Sequence, residues 1–209
     1  MLAAVNATEG TDRPLRADAV RSRALLLSAA RAVFAERGTE ASVADVAQAA
    51  GLGKGTVFRH FASKDDLVAA IVDEMLDDLI VTTEKLLTAN DPAAALREFM
   101  TAGIDLQVHN QAFCDVAAGA SVRRHPLVRG KIERLESAVE ALVDRARRAG
   151  VVRDDVTGQD LMLLMTGVYQ TAAPMLPESP DLWRRYLALT LDGLQPQAAR
   201  PLPTPAPRP

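Results

Sequence analysis

The stretch that decides the fold is SVADVAQAAGLGKGTVFRHF, residues 42–61. Ser42 can cap the free backbone N–H groups of a helix, and Asp45 three residues later completes a capping box. The glycines of GLG, residues 51–53, then interrupt the helix, because glycine is a poor helix former. A second short helix follows at residues 54–61. The sequence therefore predicts two short helices joined by a tight glycine turn.

A longer helix is predicted before this pair. Residues 17–37 carry apolar side chains at helical spacing, and Gly38 supplies a C-terminal stop. In the second short helix, Val57, Phe58 and Phe61 are candidate core anchors. Two short helices behind a longer one match a helix-turn-helix unit, whose second helix must protrude to enter the major groove of DNA. The residues expected to face outward from that helix are Lys54, Gly55, Thr56, Arg59 and His60.

The rest of the chain is also predicted to be helical. The pairs Asp91-Pro92 and Ser179-Pro180 place a cap before a proline in the first turn, and Thr157 with Asp160 has capping-box spacing. No run of alternating β-branched residues indicates a sheet, so the predicted fold class is all-α. The expected divisions are a disordered arm, the helix-turn-helix domain, a larger helical domain and a Pro-rich disordered tail, at residues 1–16, 17–62, 63–195 and 196–209.

Charge is distributed unevenly along the 209 residues. Residues 1–64 hold nine basic and six acidic residues, a net of +3, whereas residues 65–209 have a net of −6. A basic front on an acidic body is expected when one end of a protein meets a polyanion. The single cysteine, Cys114, excludes a disulfide within the chain, and no apolar run approaches the length of a membrane span. The first ten residues lack a signal-peptide pattern, so a cytoplasmic protein is expected.

Residues 23–67 resemble the DNA-binding domain of TetR-family transcriptional regulators. The resemblance is carried by LLLSAARAVFAERG at residues 25–38 and by SVADVAQAAGLGKGTVFRHFASKDDL at residues 42–67, with no gap needed. The family pattern is an apolar-Ala-Ala helix that ends in Phe-Ala-Glu-x-Gly, a capped second helix, and a Gly-Thr-apolar-aromatic-x-His-Phe recognition helix. A Ser-Lys pair at the start of helix four completes it. The helical remainder is similar to the family's ligand-binding and dimerisation domain in its architecture.

The resemblance implies DNA-contacting roles along the motif. Lys54, Gly55 and Thr56 would form the leading edge of the recognition helix and touch base edges or the backbone. His60 and Lys64 match the usual phosphate-contacting positions, and Ser42 would cap helix two and reach a phosphate with its hydroxyl. Phosphate contacts position such a domain, whereas base contacts specify the sequence.

Two positions depart from the family pattern. Phe58 stands where the family most often has a tyrosine whose hydroxyl bonds phosphate, so its ring is expected to lie in the core although the position belongs to the interface. Ala44 offers only a methyl group where some members carry a long polar side chain, which places more of the specificity on helix three, Arg59 included. A basic arm could add contacts to the backbone or the minor groove, with a solvated tail and helix face as the alternative, at Arg13, Arg16, Arg21 and Arg23.

The resemblance implies a transcriptional repressor that a small-molecule effector releases from a palindromic operator. Two subunits would pair through the last helices, 157–173 and 181–194, as a four-helix bundle. An effector bound among the helices of residues 91–149 would tilt the helix that begins at Ser63 and change the spacing of the two recognition helices. A constitutive DNA-binding regulator without an effector and an activator remain the alternatives. Candidate pocket residues, for which a plain core role is the alternative, are His109, Phe113, Met165 and Tyr169.

Other chemistries find no support in the sequence. The GLGKGT stretch is not a phosphate-binding Walker loop, because Gly55 rather than Ser or Thr follows Lys54. His109 and His125 are sixteen residues apart with no companion cluster, so no metal site and no cofactor are expected. Cys114 among apolar neighbours is interpreted as a core residue, with a redox role as the alternative. No catalytic motif is present, and an enzyme is not predicted.

Overall fold

The computed structural model describes residues 12–110, 120–198 and 200–206, and within these ranges the chain forms helices and no strand. The predicted all-α class is confirmed. Short 3₁₀ turns occur at Gly38–Glu40, Ala173–Met175 and Pro196–Ala198. None of the described helices is both long and apolar enough to cross a membrane. The helices are α1 (Asp12–Arg37), α2 (Val43–Ala49), α3 (Lys54–His60), α4 (Lys64–Leu86), α5 (Pro92–His109), α6 (Ala120–Arg123), α7 (Pro126–Arg148), α8 (Gly158–Ala172) and α9 (Leu182–Gly193).

Most helix starts follow the capping residues of the sequence. The Ser42 hydroxyl accepts a hydrogen bond from the Asp45 backbone N–H, and the Asp45 carboxylate accepts one from the Ser42 N–H at 2.8 Å. The same reciprocal pair opens α8 at Thr157, with Asp160 as its partner. At the other end of a helix, Gly38 has a φ of +54°, a backbone conformation that favours glycine. Local side-chain chemistry therefore sets these helix boundaries.

Two helix starts differ from the prediction. Helix α1 already includes Asp12, the first residue that the structure describes, whereas the prediction began this helix at residue 17, so residues 12–16 of the predicted disordered arm are helical. Helix α9 begins at Leu182 rather than at the predicted Ser179-Pro180 cap. The N–H of Leu182 donates to the Ser179 carbonyl at 3.1 Å, so this segment closes a turn before the helix starts.

The buried side chains form two separate cores. The N-terminal core is built from α1, α2, α3, the first two turns of α4, and Val122 of α6. The C-terminal core draws on the second half of α4 and on α5, α7, α8 and α9. Helix α4 contributes Leu67 and Ile71 to the first core, and Ile80 and Leu86 to the second. The predicted division at residue 63 falls at the cap of α4, but the N-terminal core continues along the helix to Ile71.

Helix α7 lies alongside α4 and is joined to it by side chains at successive levels. His125 Nε2 is 3.1 Å from Asp66 Oδ1 near the start of α4, and Lys131 Nζ is 2.6 Å from Asp77 Oδ2. Higher up, Arg134 is 2.6 Å from Glu84. Arg145 donates to the Leu86 carbonyl at 2.9 Å and also to that of Ala89. The residue numbers of the paired side chains increase in the same direction along both helices, so α4 and α7 run parallel. We call this set of contacts the α4–α7 clasp.

Candidate nucleic-acid interface

The α2–α3 unit is fixed by a glycine turn and by side chains buried beneath it. Gly51 has a φ of +66°, and the Leu52 N–H donates to the Ala47 carbonyl at 3.0 Å, which ends α2. Val57 of α3 and Phe61, the C-cap that follows α3, are buried in the N-terminal core, as predicted. The two side chains hold the helix against the core at its middle and at its end. The opposite face is left to solvent.

The exposed face of α3 begins with small and polar residues. Lys54, Gly55 and Arg59 are exposed, and Thr56 is half-buried. A Cβ built on Gly55 would meet nothing within 4 Å apart from its chain neighbours and the backbone of its own helix, so the space in front of this turn is open. A double helix can therefore approach the N-terminal turn of α3 closely. This placement agrees with the outward positions predicted from the sequence.

The expectation that the ring of Phe58 lies in the core is wrong. Phe58 is 46% exposed, because it follows Val57 and is turned about 100° around the helix from the buried stripe. Lys54 Nζ lies 5.8 Å from the centroid of the Phe58 ring, a cation–π distance. The ring supports the Lys54 side chain on the outer surface of the helix instead of anchoring the helix.

The three predicted phosphate-contacting residues lie at helix ends. Ser42 is exposed as the cap of α2, and its hydroxyl is 2.6 Å from Asp45 Oδ2. His60 closes α3, half-buried, with its ring centroid 6.3 Å from that of Phe61. Lys64 opens α4, and its Nζ lies 5.5 Å from the centroid of the Phe34 ring. Each side chain is therefore held by a local contact beside a helix terminus.

One arginine of α1, Arg23, packs beside the end of α3, a role that the sequence left open. The Arg23 guanidinium lies 5.4 Å from the centroid of the Phe61 ring and 3.9 Å from Glu74 of α4. Arg21 forms an ion pair with Asp18 in the same helix. Arg23 therefore packs within the domain. The sequence indicated its positive charge but not this packing role. The side chains of Arg13 and Arg16 lie outside the described residues.

Two carboxylates near the interface are held in their charged form. The pKa of Asp45 lies below its ordinary value, first because of the Ser42 side-chain hydrogen bond and then because of the Ser42 backbone N–H. Arg37, 2.9 Å away, lowers it further. The pKa of Asp66 is also lowered, by the hydrogen bond from Ser63 and then by the one from His125. Both acids are bound within helix caps.

The structure separates the predicted pocket residues. His109 is exposed at the end of α5, with its Nδ1 2.9 Å from the Asp105 carbonyl oxygen. Met165 and Tyr169 are both buried in the C-terminal core. Phe113, like Cys114, lies outside the described residues. A Cβ on Gly103 would meet the Met165 methyl group at 2.0 Å, so this glycine lets α5 and α8 approach around the methionine.

Two surface grooves lie on α8. One, of about 360 Å³, separates α7 from α8 and is lined by Glu136, Glu140 and Met162 among others. The second, of about 340 Å³, runs between α8 and α9, with Leu164 and Leu189 on its walls. Neither groove was predicted, because each is formed by residues far apart in sequence.

Comparisons with known proteins cover both parts of the chain. The family model described as "Bacterial regulatory proteins, tetR family" matches residues 26–71, and "Transcriptional regulator SbtR-like, C-terminal domain" matches residues 91–196. The HTH-type transcriptional repressor Rv1474c of Mycobacterium tuberculosis is 31% identical over 180 residues, 82% of this chain and 79% of the relative.

Solved structures share the fold. The TetR transcriptional regulator SCO0520 from Streptomyces coelicolor is 31% identical, with a TM-score of 0.61 over 84% of this chain and 99% of that one. The regulator FadR from Bacillus subtilis, solved in complex with stearoyl-CoA, has a TM-score of 0.68 over 85% of this chain and 99% of that one. At 16% identity, this second likeness concerns the fold alone.

The lowered pKa of Asp45 predicts a pH dependence of stability. The folded form binds this proton more weakly than the unfolded chain, so the free energy of unfolding falls as the pH drops below about 4. Asp45→Asn removes the titrating group, and Ser42→Ala removes the largest cause of the lowered pKa. Both variants should show a shallower fall of the unfolding temperature in acid than the wild type, measured by circular dichroism. A wild-type slope in Ser42→Ala would contradict this assignment.

Proposed function

The chain belongs to the TetR family of bacterial transcriptional regulators, which are not enzymes, and on this basis we propose that it is a repressor that binds a palindromic operator and leaves it when a small molecule binds. The observation that carries the proposal is the outer face of α3. Val57 and Phe61 hold the helix in the core, while Lys54, Gly55 and Arg59 stand in solvent. A helix held in this way can enter the major groove, which is about 12 Å wide.

The residues of the interface divide into two roles. Arg59 and Lys54, both exposed, and Thr56, which is half-buried in the first turn of α3, meet base edges and supply the sequence preference. Ser42, His60 and Lys64 meet phosphates at three helix termini and set the register of the domain on the duplex.

Replacing a phosphate contact and a base contact should have different effects. Lys64→Ala should weaken binding to all duplexes and reduce the salt slope, the change of log K with log salt concentration, by about one unit per subunit. Thr56→Ala should change the ranking of operator variants. Footprinting of the protein on the DNA that flanks its own gene first identifies the operator. Fluorescence anisotropy on this footprinted operator and its variants then measures both effects.

The matched control for Lys64→Ala is Lys85→Ala, because Lys85 is exposed in the last turn of the same helix. It should keep the wild-type salt slope. An unchanged slope in Lys64→Ala would remove its phosphate role. If Thr56→Ala lowers the affinity for every operator variant by the same factor, Thr56 contacts only the DNA backbone.

The proposed dimer forms through α8 and α9. The groove between them is lined by large apolar side chains that reach solvent: Leu164 is 37% exposed and Leu189 is 56% exposed. Contiguous apolar surface of this kind is typical of a protein–protein interface. A twofold axis through the resulting four-helix bundle would place the two α3 helices about 34–36 Å apart, one turn of DNA, which is why the operator would be a palindrome.

The dimer predicts the behaviour of charge substitutions on this face. Leu164→Glu combined with Leu189→Glu should give a monomer in sedimentation and should lose most operator affinity, because one α3 reads only a half-site. Val81→Glu, which places the same charge at an exposed apolar position of α4, is the control and should remain dimeric. A double variant that stays dimeric would move the interface elsewhere.

The effector is proposed to act inside the C-terminal core. Met165 fills the notch over Gly103 with a flexible thioether side chain, which a ligand can displace at small cost. FadR of Bacillus subtilis, which has this fold, has been solved with stearoyl-CoA. Ligand entry between α5 and α8 would move the C-terminal half of α4, because this half lies in the same core. The N-terminal half of α4 would transmit this movement to α3.

A ligand screen tests the effector. Unfolding temperatures are measured with stearoyl-CoA and a panel of small hydrophobic acids, and each stabilising compound is then added to the protein–operator complex. We expect at least one compound to raise the unfolding temperature and to weaken operator binding at least five-fold, the lower end of a 1–3 kcal/mol coupling. Stabilising compounds that leave operator binding unchanged would favour the constitutive alternative.

A further inference from the structure

A pair of arginines interrupts the acidic C-terminal part of the chain. Residues 120–132, ASVRRHPLVRGKI, contain four basic residues and no acidic one, although residues 65–209 have a net charge of −6. Arg129 and Lys131 form ion pairs with Glu133 and with acids of α4. Arg123 and Arg124 are exposed and form no ion pair with any residue that the structure describes. We call these two residues the arginine pair.

Two contacts hold the arginine pair against the DNA-binding domain. Val122, directly before it, is buried in the N-terminal core together with side chains of α1 and α4. His125, directly after it, lies 3.1 Å from Asp66 in the first turn of α4. The turn that carries the arginine pair is therefore anchored on both sides, and its two cationic side chains extend from a fixed piece of backbone.

The anchor places the arginine pair close to the proposed phosphate-binding end of α4. Lys64 is two residues before Asp66, and Arg124 is one residue before His125. Because Asp66 and His125 are in contact, Lys64 and Arg124 are each within two residues of that contact. Successive phosphates on one strand of DNA lie only about 3.4 Å apart along the helix axis. A backbone that meets Lys64 therefore passes near the arginine pair.

We propose that Arg123 and Arg124 bind phosphates of the operator backbone outside the grooves that α3 enters. The proposal rests on the proposed DNA-binding function and extends the interface beyond the helix-turn-helix unit to α6 of the C-terminal domain. The contact adds affinity and no base recognition, because guanidinium groups on phosphates do not report the sequence. It also places a DNA contact on the turn that leads into α7, which is joined to α4 by the α4–α7 clasp.

The salt slope of operator binding tests the proposal. The probe is a 40-base-pair duplex that contains the footprinted operator, and binding is measured by anisotropy across a series of salt concentrations. Arg123→Ala combined with Arg124→Ala should make the slope less steep by about two units per subunit and leave the ranking of operator variants unchanged. Arg123→Lys combined with Arg124→Lys keeps both charges and should restore most of the slope.

The matched control replaces two equally exposed arginines elsewhere in the C-terminal part, Arg97→Ala with Arg148→Ala, and should keep the wild-type slope. Phosphate ethylation interference on the same duplex should show positions at which ethylation blocks the wild type but not the alanine pair. Unfolding midpoints of all variants establish that each is folded.

The outcomes separate this proposal from the one on which it rests. A wild-type slope in the folded alanine pair, together with a reduced slope in Lys64→Ala, would overturn the arginine contact and leave the proposed function intact. A wild type without preference for any operator would overturn both. A slope reduced equally by the alanine pair and by the distal control would show a general charge effect and would also overturn the arginine contact.

Discussion

One helix, α4, is buried in two cores at once, and the rest of the architecture depends on this. Leu67 and Ile71 fix its lower half among α1, α2 and α3, while Ile80 and Leu86 fix its upper half among the helices of the C-terminal domain. Removing a large side chain from such a core costs about 2–5 kcal/mol, so neither half detaches easily. A displacement of the upper half is therefore transmitted to the lower half, and with it to α3.

The α4–α7 clasp extends the same constraint sideways. Burial alone would lower the pKa of Lys131, between α7 and α4, but the hydrogen bonds that it donates to Asp73 and Asp77 raise this pKa above its ordinary value, so Lys131 stays charged. Arg145 donates hydrogen bonds to the carbonyls of Leu86, at the end of α4, and of Ala89, just after it. Because these contacts occur at several levels, α4 and α7 form a two-helix unit. The arginine pair stands at the lower end of this unit, beside the start of α4.

The sequence predicts what local chemistry decides and misses what tertiary packing decides. The capping box at Ser42 and the apolar spacing of Val57 and Phe61 fix α2 and α3 from nearby residues alone, and both predictions are confirmed. The sequence analysis missed the exposure of Phe58. An aromatic residue next to the buried stripe of a helix can pack into the core or face solvent, and the sequence alone does not decide between the two. The groove between α8 and α9 could not be predicted either, since its walls come from helices separated by a turn whose path is set by packing.

Energies of different size limit how a ligand can move this molecule. A coupling of about 1–3 kcal/mol cannot unpack either core, where each large side chain is worth more than that. It can exceed the cost of exposed ion pairs such as Arg134–Glu84, which are worth about 0–1 kcal/mol each. The elements that a ligand can shift are therefore intact helices that slide over their surface contacts. Under the effector mechanism proposed above, α4 and α7 would move on α5 and α8 as intact helices, with the cores kept and the position of α3 changed.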